Sequence, residues 1–221
     1  MLWYRRPASA WLEALPVGNG RLGGMVFGGI DRERIQLNEE TVWSGSAWDS
    51  TSPEALRALP EVRRLLFEGN PAEAFELTQE RLMSRPLRMP PYQTLGDLWL
   101  DFGTVGEGGV SDYRRELDLD AGIARVSYSH DGARFTREVF ASAPDRLLVA
   151  RLTTDRPGAL AFTLGLTREA DARAVIMSSS EIALRGACDG GSGVALEARA
   201  FVRAMAAFRA ALKRRNGVPF C

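Results

Sequence analysis

Cysteine, histidine and lysine are nearly absent from this 221-residue sequence, and each shortage closes off a class of function. Two cysteines, Cys188 and the terminal Cys221, with the single histidine His130, cannot complete a four-ligand Cys/His zinc site within one chain. They are too few for a disulfide-built secreted scaffold, and a bridge between them is disfavoured because it would end on a frayed terminus. No metal site and no cofactor are expected. No uninterrupted apolar run reaches the roughly 18 residues of a spanning helix, so no membrane segment is expected. Met1 to Pro7 carries no charged leader before an apolar stretch, which gives a cytoplasmic expectation, or a secreted or periplasmic one if the true N-terminus lies upstream. Net charge is missing too: 28 basic and 28 acidic residues cancel, leaving no global footprint for nucleic acid. Lys213 is the one lysine, a bias expected of a GC-rich bacterial coding sequence.

What is present suffices for a core, since 45% of the residues are hydrophobic and the length fits one or two domains. The apolar pattern is mostly of period two. Met25 to Ile30 and Ile35 to Asn38 read as two strands joined by a charged turn, Asp31 to Arg34. Residues 53–84 break the alternation and predict helix. Ser52 is the expected cap and Pro53 the first helical residue, with Leu56, Leu59, Val62, Leu65 and Leu66 on helical spacing. Pro60 is expected to divide this stretch, and Gly69 to stop it. Asn70-Pro71-Ala72-Glu73 has the form of a new cap and capping box, with Phe75 and Leu82 on one face.

Strands return after the prolines at 86–91. Residues 98–102 alternate, 113–119 follow, and 123–129 with 133–141 form the clearest hairpin, because Asp131-Gly132 supplies the positive φ of a tight turn. A second hairpin is expected from 146–153 and 159–167 around Asp155 to Gly158, with weaker strands at 181–185 and 194–201. Short strands without intervening helices predict a mainly β protein: an antiparallel β-sandwich with a short helical insertion near 53–84, filling residues 1–200. Residues 201–221 stand apart. No acidic residue follows Glu197, while Arg199, Arg203, Arg209, Lys213, Arg214 and Arg215 do. Phe201, Met205, Phe208 and Leu212 outline a basic amphipathic helix, whether an edge cap, a membrane-surface or partner-binding helix, or a segment foreign to the fold.

The motifs carry little catalytic chemistry on their own. Gly18-Asn19-Gly20-Arg21-Leu22-Gly23 matches a dinucleotide fingerprint, but Pro16 precedes it and a β-leaning stretch follows, so its glycines are assigned to tight backbone turns. No nucleophile elbow is present. Glu39 and Glu40 are adjacent on a strand and point to opposite faces, so at most one could serve a two-carboxylate glycosidase, with Asp49 or Asp97 as partner. All five tryptophans, Trp3, Trp11, Trp43, Trp48 and Trp99, fall in the first 99 residues among Asn19, Asn38, Glu39, Tyr92, Gln93 and Asp97. That mixture suits a sugar site, and equally a core or a domain interface.

Five stretches together resemble a known family. Trp3-Tyr4 with Pro7-Ala8, Trp11 to Gly29, and Glu33 to Gly45 are similar to the opening of glycoside hydrolase family 95, the α-L-fucosidases. Tyr92 to Leu98 and Tyr113 to Leu119 continue the match, which is strong from about residue 3 to 170 and lost in the tail. The resemblance implies an N-terminal sandwich of the supersandwich type, followed in the family by a helical (α/α)6 barrel that carries an inverting hydrolysis of fucosylated glycans. The barrel's acid and base have no counterpart here, so the chain is expected to contribute no catalytic residue, to be inactive alone, and to take the barrel as its partner. A truncated or frameshifted reading frame would account for the basic tail. Asn38, Glu39, Trp43, Gln93 and Asp97 are expected near the domain junction, walling the sugar pocket. The competing reading is a freestanding carbohydrate-binding module that stacks sugars on Trp43, Trp48 or Tyr92.

Overall fold

Side chains that alternate inward and outward along short segments fold into strands of three sheets. The computed structural model describes residues 1–45, 49–104, 109–203 and 209–212. In chain order these are β1 (Leu2–Tyr4), β2 (Leu15–Gly18), β3 (Leu22–Val26), β4 (Arg32–Glu39), α1 (Ala55–Phe67), α2 (Pro71–Leu77), β5 (Gly96–Asp101), β6 (Val110–Asp118) and β7 (Ile123–His130). There follow β8 (Ala133–Ser142), β9 (Leu147–Thr154), β10 (Ala161–Thr167), β11 (Ala172–Ile176), β12 (Glu181–Ala187), β13 (Ala195–Phe201) and β14 (Arg209–Leu212). The chain divides into two compact units, Gly45–Pro91 and everything else.

The larger unit is a β-sandwich. One sheet has the order β1-β6-β7-β8-β9, the second β14-β10-β5-β4-β3-β2, and a third sheet β11-β12-β13. All neighbours are antiparallel except β10 and β14. The first two sheets face each other where β2 and β3 pack on β6 to β9, and β11 and β12 pack beside β10. Val26, Ile35, Leu100 and Leu166 meet Val126, Val139, Ile182 and Leu184 in one continuous core. A mainly antiparallel sandwich with a helical insertion is therefore what the alternation specifies.

Polar groups explain the first departure. Arg32, Glu33 and Arg34 belong to β4 rather than to a charged turn. Glu33 points inward, wholly buried, paired with Arg137 and accepting the backbone N–H groups of Phe27 (3.1 Å) and Gly28 (2.8 Å). The reversal is made instead by Gly28 (φ 78°) and Gly29, where a Cβ would lie 1.8 Å from the Arg32 carbonyl oxygen.

The 123–141 hairpin forms as expected, with Asp131 and Gly132 both at positive φ. The 146–167 hairpin does not. β9 pairs with β8, whereas β10 crosses to the other sheet beside β5. Burial drives this separation, because Phe162, Leu164 and Leu166 are buried on β10 while no residue of β9 is. The tail also differs from the helix reading: Phe201 ends β13 and 209–212 form a strand beside β10, while 204–208 and 213–221 lie outside the described residues. Cys188 is a buried free thiol, and Cys221 is likewise outside.

In the smaller unit, Pro60 does not divide α1. Val62 and Leu65 pack with Ala74, Leu77 and Leu82, and that burial holds the helix past the missing N–H. Gly69 (φ 82°) ends α1 and Pro71 opens α2, as expected. Ser52 does not cap α1, which begins after Glu54, whereas Asn70 is the N-cap residue of α2 as expected, though its side chain makes no cap bond. Phe75 is exposed while Leu82 packs inward, so the two do not share a buried face.

Candidate functional site

The glycine-rich motif is the hairpin turn between β2 and β3, with Gly20 at φ 90° and no helix after it. Asn19 organises this turn. Its Oδ1 accepts the backbone N–H groups of Arg21 (3.1 Å) and Leu22 (2.8 Å), and its Nδ2 donates to the Ser142 carbonyl (2.9 Å) at the end of β8. Arg21 then reaches across the strand pair, where Leu22 opposes Glu39, and donates Nε to Glu39 Oε1 at 2.9 Å.

Four of the five sequence-predicted residues gather where β4 ends. Glu39 Oε2 accepts from the Thr41 backbone N–H (2.9 Å) and hydroxyl (2.5 Å). Burial works against its charge, but the Thr41 and Arg21 hydrogen bonds outweigh that and hold the carboxyl below the usual range. Trp43 and Tyr92 form an isolated antiparallel bridge, with rings 5.1 Å apart in an edge-to-face pair. The Trp43 indole donates to the Glu40 carbonyl at 2.9 Å, and the Tyr92 hydroxyl donates to the Glu39 carbonyl at 2.8 Å. The Tyr92 hydroxyl is pushed up by burial, an effect opposed by its side-chain hydrogen bond with the neighbouring Asn38. The Gln93 backbone N–H donates to the Val42 carbonyl at 2.9 Å, and its side-chain oxygen lies 3.5 Å from Arg168 Nη2.

Asp97 lies on the face of the sheet opposite Glu39. On β5 it sits beside Arg34, which binds its carboxylate at 2.9 and 3.1 Å between the rings of Phe27 and Trp99. Burial raises the Asp97 carboxyl, against the pull of Arg34. Trp48, a candidate stacking residue, lies outside the described residues. Trp43 and Tyr92 remain partly exposed, but their polar atoms are spent on the backbone of residues 39 and 40, which makes them a clasp more than an open platform.

Beside this rim lies a cleft of about 540 Å³, within the range of small-ligand sites. Its polar lining is Asn19, Arg21, Glu39, Thr41, Arg146 and Glu197, and Leu22, Val42, Leu95 and Leu196 supply apolar wall.

 The apolar wall at Leu95 is fixed by the strand pairing, since the Leu95 backbone N–H donates to the Leu37 carbonyl at 3.1 Å. Of the six polar residues, only Asn19 and Glu39 stood out in the sequence. Arg21 could have been found from its place in the Asn-Gly turn, whereas Arg146 and Glu197 reach the cleft only through tertiary pairing. Among the described residues no cluster of three or more His, Cys, Asp or Glu side chains could hold a metal ion, and no helix is long and apolar enough to cross a membrane.

Comparison with known proteins adds family information to this geometry. Residues 2–217 match the family described as "Glycosyl hydrolase family 65, N-terminal domain", a span that includes most of the basic tail. "Alpha-L-fucosidase 2" of Arabidopsis thaliana is 39% identical over 189 residues, covering 85% of this chain and 22% of that protein. "Probable alpha-fucosidase A" of Aspergillus niger is 32% identical over 164 residues (70% of this chain, 20% of that protein). Its namesake from Aspergillus oryzae is 28% identical over 163 residues (69% and 21%). The chain thus spans about a fifth of the length of these curated relatives.

Proposed function

The chain belongs to the glycosyl hydrolase family 65 N-terminal domain family, and from that premise we propose that it is the N-terminal sandwich of a family 95 type α-L-fucosidase. The observation that carries this reading is the 39% identity to a protein named as an α-L-fucosidase, running over 85% of the chain. In that role the sandwich is a scaffold, and the hydrolysis of terminal α-L-fucosyl linkages belongs to an (α/α)6 barrel that partners it in a longer polypeptide.

The chemistry of the rim supports a scaffold role. Inverting hydrolysis needs a protonated carboxyl to donate to the leaving oxygen and a free carboxylate to activate water. Glu39 is held ionised, with both oxygens occupied by Arg21 and Thr41, and Asp97 is clamped by Arg34. Neither can take either role without first breaking these bonds. Asn38, Glu39, Trp43 and Gln93 are assigned to the domain junction, and Asp97 to the support behind it.

The test is reconstitution. An α-L-fucosidase relative with the region matching this chain removed should regain turnover of an aryl α-L-fucoside when this chain is fused in its place. A soluble, folded fusion that hydrolyses no fucoside would overturn the proposal.

A further inference from the structure

Two turns that carry arginine are stapled together at the cleft. Asn19 closes the Arg21 turn with its Oδ1 and holds the Ser142 carbonyl with its Nδ2, and the chain after Ser142 turns through Asp145 to Arg146. Ser142 Oγ donates to Asp145 Oδ2 at 2.6 Å, and Arg146 sits at φ 56°, a backbone region that a non-glycine residue seldom occupies. The arginine is therefore set in a defined turn on the cleft wall, not on a loose loop.

The hydrogen-bond inventory of the cleft is unbalanced. Both oxygens of Glu39 are taken, Oε1 by Arg21 and Oε2 by Thr41. Both oxygens of Glu197 are taken as well, Oε2 by Arg185 at 2.6 Å and Oε1 by Arg199. Arg199 also meets Glu181 at 3.3 Å. By contrast, Arg21 uses only Nε on Glu39, and Arg146 makes no ion pair or side-chain hydrogen bond with any described residue. The cleft thus presents an excess of guanidinium N–H donors without a described partner, on Arg146 and on the terminal nitrogens of Arg21, while each of its two carboxylates is already bonded to arginine.

Planar guanidinium groups match the oxygens of a carboxylate or sulfate, and charge-assisted bonds are the stronger kind. From this excess of donors in a cleft of about 540 Å³ we propose that it is an accessory subsite for an anionic sugar, one bearing a sulfate ester or a uronic-acid carboxylate. Arg146 and the terminal nitrogens of Arg21 bind the anionic group, and Asn19 positions both arginine turns. The sugar part of the ligand rests on the glycosidase reading above; the anion part rests on the cleft alone.

The experiment is calorimetric titration of the chain with L-fucose, L-fucose 3-sulfate, D-glucuronate and inorganic sulfate, followed by the same series on Arg146→Gln and Arg146→Lys. The charged sugars are expected to bind about tenfold or more tighter than L-fucose, the scale of one charge-assisted hydrogen bond. Arg146→Gln should erase that preference and Arg146→Lys retain part of it, with the melting temperature unchanged in both. Which charged sugar binds tighter separates sulfate from carboxylate recognition. Three results would overturn the proposal: equal binding of charged and neutral sugars, inorganic sulfate binding as tightly as the sulfated sugar, or no heat with any ligand at about 20 mM. Each would leave the fucosidase reading standing, because that reading is judged by turnover of the fused enzyme.

Discussion

Glu33 and Glu39 sit on the same face of one strand, yet they do different work. At one end of β4, Glu33 is wholly buried, pairs with Arg137, and accepts two backbone N–H groups that shape the Gly28 reversal. At the other end the sandwich opens, and Glu39 binds Arg21 and Thr41 at the edge of a cleft. The contrast shows that residue type and strand register do not by themselves mark a functional carboxylate. Burial decides how much fold stability each one holds, and the surrounding donors decide whether it has any lone pair left for a ligand.

The largest effect that would test this contrast is at the buried end. Glu33→Ala should cost about 3–5 kcal/mol in chemical denaturation, because it strands the Arg137 guanidinium, whose Nε already lacks a partner. If that variant does not fold, the double change Glu33→Gln with Arg137→Met should restore folding by removing the stranded charge. A loss below about 1 kcal/mol for Glu33→Ala would dissolve the distinction between the two ends.

At the open end, Glu39→Gln should cost about 1–2 kcal/mol, the scale of its charge-assisted bonds. Its pH signature is sharper. The folded carboxyl is held below its unfolded value, so its stabilisation is complete above about pH 4.3 and is lost as pH falls through the lower folded value. Acid denaturation of the wild type should therefore be steeper in that window than that of Glu39→Gln, and superimposable profiles would remove Glu39 from the turn's support. Tyr92→Phe, which deletes the hydroxyl with its bonds to the Glu39 carbonyl and the Asn38 side chain, should cost about 0.5–1.5 kcal/mol in thermal melts. The smallest effect is expected at Arg146→Gln, within about 0.5 kcal/mol, since its side chain has no described partner to lose.

Local signals in the sequence served where the structure is local. Asp131-Gly132 fixed its hairpin because the two positive φ angles and the pairing of β7 with β8 are set within a few residues. Asp155 to Gly158 looked equivalent, but a turn does not specify which sheet the next strand joins, and the burial demand of Phe162, Leu164 and Leu166 carried β10 across. Arg32, Glu33 and Arg34 read as a turn because a charged run is usually solvated; the arginine that brings Glu33 inside, Arg137, lies four strands later. Asn38, Glu39, Trp43 and Gln93 were legible as a group since two chain segments carry them all. Asp97 follows closely in sequence, but strand alternation turns it toward Arg34. The cleft was hidden because Arg146 comes to it from the turn between β8 and β9 and Glu197 from β13 of another sheet, which no spacing encodes.

The most direct test of the scaffold role is turnover by the isolated chain on an aryl α-L-fucoside, measured beside Glu39→Gln. The expected result is a rate indistinguishable from the spontaneous one for both proteins. Hydrolysis by the wild type that Glu39→Gln abolishes would place catalysis on the rim of this sandwich and contradict the assignment of the chemistry to a partner domain.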